Sequence, residues 1–437
     1  MTLPSIFSRL FEWAGKDMED YVEIEKVEPQ WRSFFPDGAI IDLYSDLDRT
    51  IKANEEIDED DGKQIRRFLD YSKKLYENVK DGYFEEGIDN RWELIKYYGP
   101  IRLLTSFDYF STLNQGVERY IGKDHLQDMF DFFIKYVGSS PYDAPAILNL
   151  LPYIQIEYGL WYVPGGLYKL SEGLRQLLED LDVEINLEAE VINLIEENGR
   201  IKGLKLKDGT EREGDIFVSN MEVIPAYKNL LDGNEGLVKK YEKKFEPACS
   251  GLVIHLGLDK EYSQLEHHNF FFSANPKEHF DSIYHDYELP KDPTIYLVAT
   301  TKSDQTQAPE AHENIKVLPH IPHLGENDFS EEDYEKLRDR VLSKLEKMGL
   351  KDLRDHIVTE DIWTPEDIRD KYYSNEGAIY GVVSDRKKNL GFKAPKSSKI
   401  YNNLYFVGGS VNPGGGMPMV VLSGQQVKDM ILSKERR

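Results

Sequence analysis

The chain has 437 residues, and its 54 Lys and Arg against 79 Asp and Glu leave a net charge of −25. That balance excludes a general nucleic-acid-binding role, which needs clustered positive charge, and 40% apolar with 12% aromatic residues exclude a disordered acidic chain. The single cysteine, Cys249, excludes an intrachain disulfide framework, a CxxC redox pair and a cysteine-built zinc site, and fits a reducing cytoplasmic setting. No apolar run reaches the roughly 18 residues of a membrane-spanning helix.

In chain order, MTLPSIFSRLFEWAG lacks the basic and apolar regions of a signal peptide. It predicts an amphipathic helix, with Pro4 in the first turn, Ile6, Leu10, Phe11 and Ala14 on one face, and Gly15 after it. Residues 16–50 predict short strands, with the turn Pro36-Asp37-Gly38 between two apolar-aromatic runs. The acidic stretch 54–62 predicts a loop or helix start, followed by a helix with Ile65, Phe68, Leu69, Tyr76 and Val79 on one face. Residues 91–142 continue helical, with a break at Gly99-Pro100.

The texture changes near residue 158. Strand, glycine turn and helix come first, the helix carrying the stripe Leu170, Leu174, Leu177, Leu178 and Leu181. A β-meander follows, in which Ile185, Leu187, Ala189 and Val191 alternate as a strand does. Asn198-Gly199 and Asp208-Gly209 are its hairpin turns. Residues 234–395 mix charged helices with strands such as GLVIHLGL and TIYLVAT.

The chain closes on NLYFVGGSVNPGGGMPMVVLSGQQVKDMI, a buried strand, a glycine-rich loop and a helix with the face Val420, Val427, Met430 and Ile431. Glycine lets backbone approach a ligand closely, and Pro418 suits the first turn of a helix whose N–H groups and dipole favour an anion. A flavin fits such a place, because reduction puts negative charge on its pyrimidine edge. The same residues also describe an ordinary glycine turn before a surface helix.

Over essentially its whole length the sequence resembles the carotenoid desaturase/oxidase family, the phytoene-desaturase-like flavoproteins. GGSVNPGGGMP is similar to that family's carboxy-terminal flavin-contact motif, and VPGGLYKLSEGL and VSNMEVIPAYKNLL to its middle segments. Within the family, QWRSFFPDG, FIKYVGSSPYDAPA, NIKVLPHIPH, LEKMGLKDLR and EGAIYGVVSDRKKN resemble the members that oxidise a terminal methyl group of C30 carotenoids. The resemblance implies an α/β, two-domain FAD-dependent amine-oxidase/phytoene-desaturase-like fold. Residues 1–150 and 234–395 would form the substrate and membrane domain, and 151–233 with 396–437 the FAD domain. It implies FAD contacts at Val191, Gly408, Gly409, Ser410, Gly414, Gly415, Gly416, Met417 and Pro418, and marks no acid or base side chain. The implied reaction turns a terminal methyl group of an acyclic C30 carotenoid into an aldehyde, with oxygen as oxidant, at the inner face of the cell membrane. The alternatives are a C30 carotenoid desaturase and, in another class, an inactive fragment.

That last alternative arises from a departure. The family opens with a βαβ unit whose GxGxxG turn grips the flavin pyrophosphate, and no GxGxxG occurs in these 437 residues. Met1-Thr2-Leu3-Pro4 matches the family just before its first substrate-domain helix, so about sixty residues of fold are expected upstream of it.

Two other constellations are weaker. His279-Phe280-Asp281 with His320 or His323 has the residue types of a 2-His-1-carboxylate iron site, but one HxD among ten histidines is unremarkable, and the flanking Pro319 and Pro322 predict a loop for His320 and His323. Gly408-Gly409-Ser410-Val411-Asn412 fails the last place of GxSxG. Residues 91–104, RWELIKYYGPIRLL, carry three basic residues against one acidic, and read equally as an interfacial membrane helix or a packed helix pair. The resemblance favours the membrane, since a long polyene dissolves in lipid.

Overall fold

The structure, a computed structural model, describes residues 1–325 and 329–435. Its largest element is an eight-stranded sheet, ordered Ile357–Trp363, Val253–Leu258, Glu313–Ile321, Ile295–Ala299, His268–Phe271, Trp31–Phe34, Ile40–Leu43, with Ser250–Gly251 beside Glu313–Ile321. The hairpin expected around Pro36-Asp37-Gly38 forms: Trp31 faces Leu43 and Phe34 faces Ile40, with Gly38 at φ 95° in the turn. It joins the sheet through a parallel pairing of Arg32–Phe34 residues with Asn269–Phe271 residues, so a hairpin from the start of the chain abuts strands more than 200 residues later.

Alternation along the strands sends side chains to two different cores. Phe270 packs with Trp31, Phe68, Met129, Phe130 and Phe133 beneath a helical layer, while Phe271 packs with Leu337, Val341 and Leu345 of the helix Glu331–Lys347. The acidic stretch before residue 62 is a helix start: Asp58 caps the helix Glu59–Val79 in a reciprocal box with Asp61. Ile65, Phe68 and Val79 of that helix are buried as expected.

A second assembly holds the three-stranded antiparallel meander Val191–Glu197, Arg200–Leu206, Glu211–Glu213, and the parallel pair Phe217–Ser219 with Leu404–Phe406. Asn198 and Gly199, both at positive φ, make the first meander turn. The last helix, Met417–Glu435, lies against the first, Pro4–Trp13, and Gln425 Nε2 donates to the Ile6 carbonyl at 2.7 Å.

Several expectations are corrected. The strand expected over 185–191 begins only at Val191. Ile185 and Leu187 are exposed and have no partner strand among the described residues, and an extended segment without a ladder leaves its backbone groups unpaired. The stripe of the helix Tyr168–Asp180 also narrows: Leu170 and Leu177 are buried, whereas Leu178 and Leu181 are exposed. The inner face of Met417–Glu435 is Leu422, Gln425, Gln426 and Val427, with Val420, Met430 and Ile431 only half-buried. His320 lies in a strand, Glu313–Ile321, rather than a loop, and is buried.

Candidate functional site

Backbone and side-chain ties fix the glycine loop before it meets any ligand. Gly408, at φ 105°, follows the strand Leu404–Phe406, and its N–H donates to Ser423 Oγ at 2.9 Å. Ser410 is buried, and its Oγ accepts from the Val223 N–H at 3.1 Å. Asn412 is held on three sides: its Oδ1 accepts from the Lys393 N–H at 3.0 Å and the Tyr83 hydroxyl at 3.2 Å, and its Nδ2 donates to the Asp89 carbonyl at 3.2 Å. Asp89 in turn pairs with Lys396, buried with it.

The far half of the loop faces open space. A Cβ on Gly415 would stand 2.8 Å from the Tyr380 carbonyl oxygen, so only glycine lets the chain pass there. Gly416, at φ 99°, is exposed, and a Cβ on it would meet nothing within 4 Å. The 19-residue helix starting at Met417 follows at once, with Pro418 in its first turn. Its first N–H groups have no partner within the helix and point, with the positive end of the dipole, at the space beside Gly416.

That space is a largely apolar cavity of about 370 Å³, whose walls include Gly415, Gly416, Met417 and Pro418. Of the residues expected to touch flavin, these four line the cavity. Gly408, Gly409, Ser410 and Gly414 are not among its lining residues, and the Ser410 side chain is engaged with the Val223 N–H. Val191 lies apart, opposite Leu206 in the meander, packed against the core that contains Leu404 and Phe406.

Sequence reasoning missed the opposite wall. Trp31, Lys135, Tyr136, Gln155, His268 and Tyr296 line it, from five separate stretches of chain. Tyr136 donates to Gln155 Oε1 at 2.6 Å, and the Tyr296 hydroxyl meets His268 Nδ1 at 2.8 Å. Burial holds the His268 imidazole well below its usual range, so it is neutral. The one available signal was Lys135 itself, a lone charge inside the apolar-aromatic run Phe132–Val137. The pair His279-Phe280-Asp281 sits in the helix Pro276–Tyr284, and no group of three or more His, Cys, Asp or Glu fit to hold a metal occurs among the described residues.

The cavity reaches the segment 91–104. This is two short helices, Arg91–Tyr98 and Pro100–Ser106, broken at Gly99. Leu94 and Phe107 turn into the cavity wall, while Trp92, Ile101 and Leu104 are 66%, 77% and 63% exposed, with Phe110 beside them at 67%. Among the described residues no helix is long and apolar enough to cross a membrane.

No family model matches the chain. It is 56% identical over 434 residues to a 4,4'-diapolycopene oxygenase of a Methylomonas species, covering 99% of this chain and 87% of that one. It is 54% identical over 435 residues to the 4,4'-diaponeurosporene oxygenase of Staphylococcus haemolyticus, and 50% identical over 437 residues to that of Staphylococcus aureus. Each match covers 100% of this chain, and 87% and 88% of the relative. Among solved structures, a putrescine oxidase variant superposes with a TM-score of 0.63 at 11% identity, covering 99% of this chain and 87% of that one. A fatty acid isomerase of P. acnes superposes at 0.57 with 13% identity, covering 98% and 84%. The fold is thus that of the flavin-dependent amine-oxidase-like oxidoreductases, and the chain belongs to the family of 4,4'-diaponeurosporene and 4,4'-diapolycopene oxygenases.

Proposed function

We propose that this chain is an FAD-dependent carotenoid oxidase that converts a terminal methyl group of an acyclic C30 carotenoid, of the 4,4'-diaponeurosporene type, into an aldehyde. With oxygen as oxidant the reaction balances as one methyl group and one O2 giving one aldehyde and one water. The observation that carries this reading is the cavity itself: an apolar, aromatic-walled space for a hydrocarbon, closed on one side by a glycine loop and a helix N-terminus.

The residues present fit a flavin. The open side of Gly416, the bare backbone of Gly415 and the unpaired N–H groups at the start of Met417–Glu435 suit a flat, electron-accepting ring. FAD, when bound, supplies the two-electron oxidation that no protein side chain can. The protein's part is positioning. Trp31, Leu150, Leu151 and Ile154 exclude water and align the polyene, and the frame of Asn412, Asp89 and Lys396 keeps the loop in place.

In this reading residues 1–150 and 234–395 form the substrate domain, and 151–233 with 396–437 the FAD domain. The exposed Trp92, Ile101, Leu104 and Phe110 lie in a membrane interface at the inner face, next to Leu94 and Phe107 of the cavity wall, so that a lipid-dissolved polyene enters there. Among the described residues the strand Phe217–Ser219 pairs on one edge only, with Leu404–Phe406, and Ile216 and Val218 are exposed nearby; we assign that open edge to a GxGxxG-bearing βαβ unit that holds the FAD pyrophosphate.

The test is expression beside a supply of 4,4'-diaponeurosporene or of its less unsaturated precursor, with such a unit present, followed by pigment analysis. A terminal aldehyde is expected. Added double bonds without oxygen would make the protein a desaturase, and unchanged pigment would make it an inactive fragment.

A further inference from the structure

Most polar side chains on the substrate-facing wall of the cavity satisfy one another. Tyr136 bonds Gln155, Gln155 Nε2 bonds Gln30 Oε1 at 3.0 Å, and Tyr296 bonds His268. Lys135 does not join them. It is buried to 7% exposure, and among the described residues its side chain has no hydrogen-bond acceptor and no carboxylate. Four aromatic rings surround its Nζ instead: Tyr136 at 3.8 Å, Trp31 at 4.7 Å, Phe270 at 5.0 Å and Tyr296 at 5.1 Å. With no partner among the described residues, the amine keeps its accessible surface at the cavity, so any acceptor for it comes from whatever occupies that space. The amine faces the cavity that also carries Gly415 and Gly416.

We propose that Lys135 is the recognition point for the oxygenated end of the carotenoid, its Nζ donating a hydrogen bond to the terminal aldehyde or alcohol oxygen. The inference rests on the carotenoid-oxidase reading above and makes it more specific. A hydrocarbon end gives the amine nothing, whereas a partly oxidised end supplies the missing acceptor. Oxidising a methyl group to an aldehyde passes through chain ends of both kinds, so the site holds partly oxidised ends more tightly than methyl ends. Burial and the nearby Lys316 hold the Lys135 amine well below the ordinary lysine range. A neutral amine also accepts a hydrogen bond, so the same atom takes an alcohol O–H.

The test uses flavin-loaded protein and two probes, 4,4'-diaponeurosporene and the C30 carotenoid bearing one terminal aldehyde. Binding is read from the pigment retained by the protein, and the carbonyl stretch of the bound aldehyde by resonance Raman. The wild type is expected to bind the aldehyde about tenfold or more tightly than the hydrocarbon, and to lower its carbonyl frequency. Lys135→Met is expected to keep hydrocarbon binding, lose the preference and restore the free carbonyl frequency. Lys135→Gln, which retains a donor, is expected to keep part of the preference. Equal binding of both probes by the wild type, an unshifted carbonyl, or a preference that survives in Lys135→Met would each overturn the inference while leaving the carotenoid reading intact. Failure to bind either probe would overturn that reading and this inference with it.

Discussion

Asp89 and Lys396, 307 positions apart, form a buried ion pair at the root of the glycine loop. The Lys396 N–H also donates to Asp89 Oδ2 at 3.0 Å, Lys396 Nζ donates to the Gly87 carbonyl at 3.0 Å, and Asn412 Nδ2 reaches the Asp89 carbonyl. Asp89 thus joins the helical layer, the segment before the last strand and the loop beside the cavity, through its carboxylate and its carbonyl together. Removing one partner of such a pair strands a buried charge. Lys396→Met is therefore expected to lower unfolding free energy by about 3–5 kcal/mol, and the double variant Asp89→Asn with Lys396→Met to recover much of that loss. Denaturant titration of the three proteins checks this, and an unaltered single variant would refute it.

The loop itself is tested at Gly416 rather than Gly415. A side chain at Gly415 strikes the Tyr380 backbone, so a loss of flavin there would report loop damage as readily as lost contact. At Gly416 the space is open, and Gly416→Leu carries only the strain of φ 99°, about 1–2 kcal/mol. The variant is expected to fold, by circular dichroism, and to retain less than half of the wild-type flavin absorbance per protein. Full flavin content in the folded variant would remove Gly416 from the flavin site.

Trp92 and Ile101 project from consecutive short helices while Leu94 turns inward to the cavity. Trp92→Glu with Ile101→Glu is expected to reduce flotation with anionic liposomes severalfold and to leave the melting temperature nearly unchanged, since both side chains already meet solvent. Unchanged flotation would place the membrane contact elsewhere.

The 437 residues expressed by themselves are expected to take up far less FAD than the same residues preceded by a βαβ unit from one of the relatives. The pyrophosphate needs the backbone N–H groups of a glycine turn, and such a unit would cover the exposed Ile185, Leu187, Ile216 and Val218. Visible absorbance of the two purified proteins decides it: equal, stoichiometric flavin in both would show the unit to be dispensable.

Lys393 offers a pH test. It is buried beneath the loop, with its Nζ donating to the Val382 carbonyl, and burial brings its pKa down from 10.5 to about 7. The unfolded chain therefore holds the proton between about pH 7 and 10.5 while the folded protein releases it, so this residue makes stability rise with pH through that window. Lys393→Met abolishes that contribution. The wild type minus variant difference in unfolding free energy is expected to move in favour of the wild type by several kcal/mol between pH 7 and 10. A flat difference would mean that the amine stays charged in the fold.

Periodicity and turn chemistry were legible in the sequence alone. Pro36-Asp37-Gly38, Asn198-Gly199 and the Asp58 helix start are local signals, and local backbone preference settles them wherever the surroundings allow. The glycine loop, its helix and the family were legible for the same reason, since glycine and proline spacing is itself the structure there. Tertiary structure alone decided the rest. The 185–191 pattern has the alternation of a strand, yet strand pairing is a property of two segments, and no second segment lies beside it among the described residues. The ties that hold the loop, Ser410 to Val223 and Asn412 to Lys393, Tyr83 and Asp89, are likewise set by packing and not by any spacing in the sequence. The cavity wall opposite the loop joins Trp31, Lys135, Gln155, His268 and Tyr296 from distant stretches. No spacing encodes such a meeting, because side chains become neighbours there only when the sheet brings the hairpin at residue 31 against the strand at residue 270.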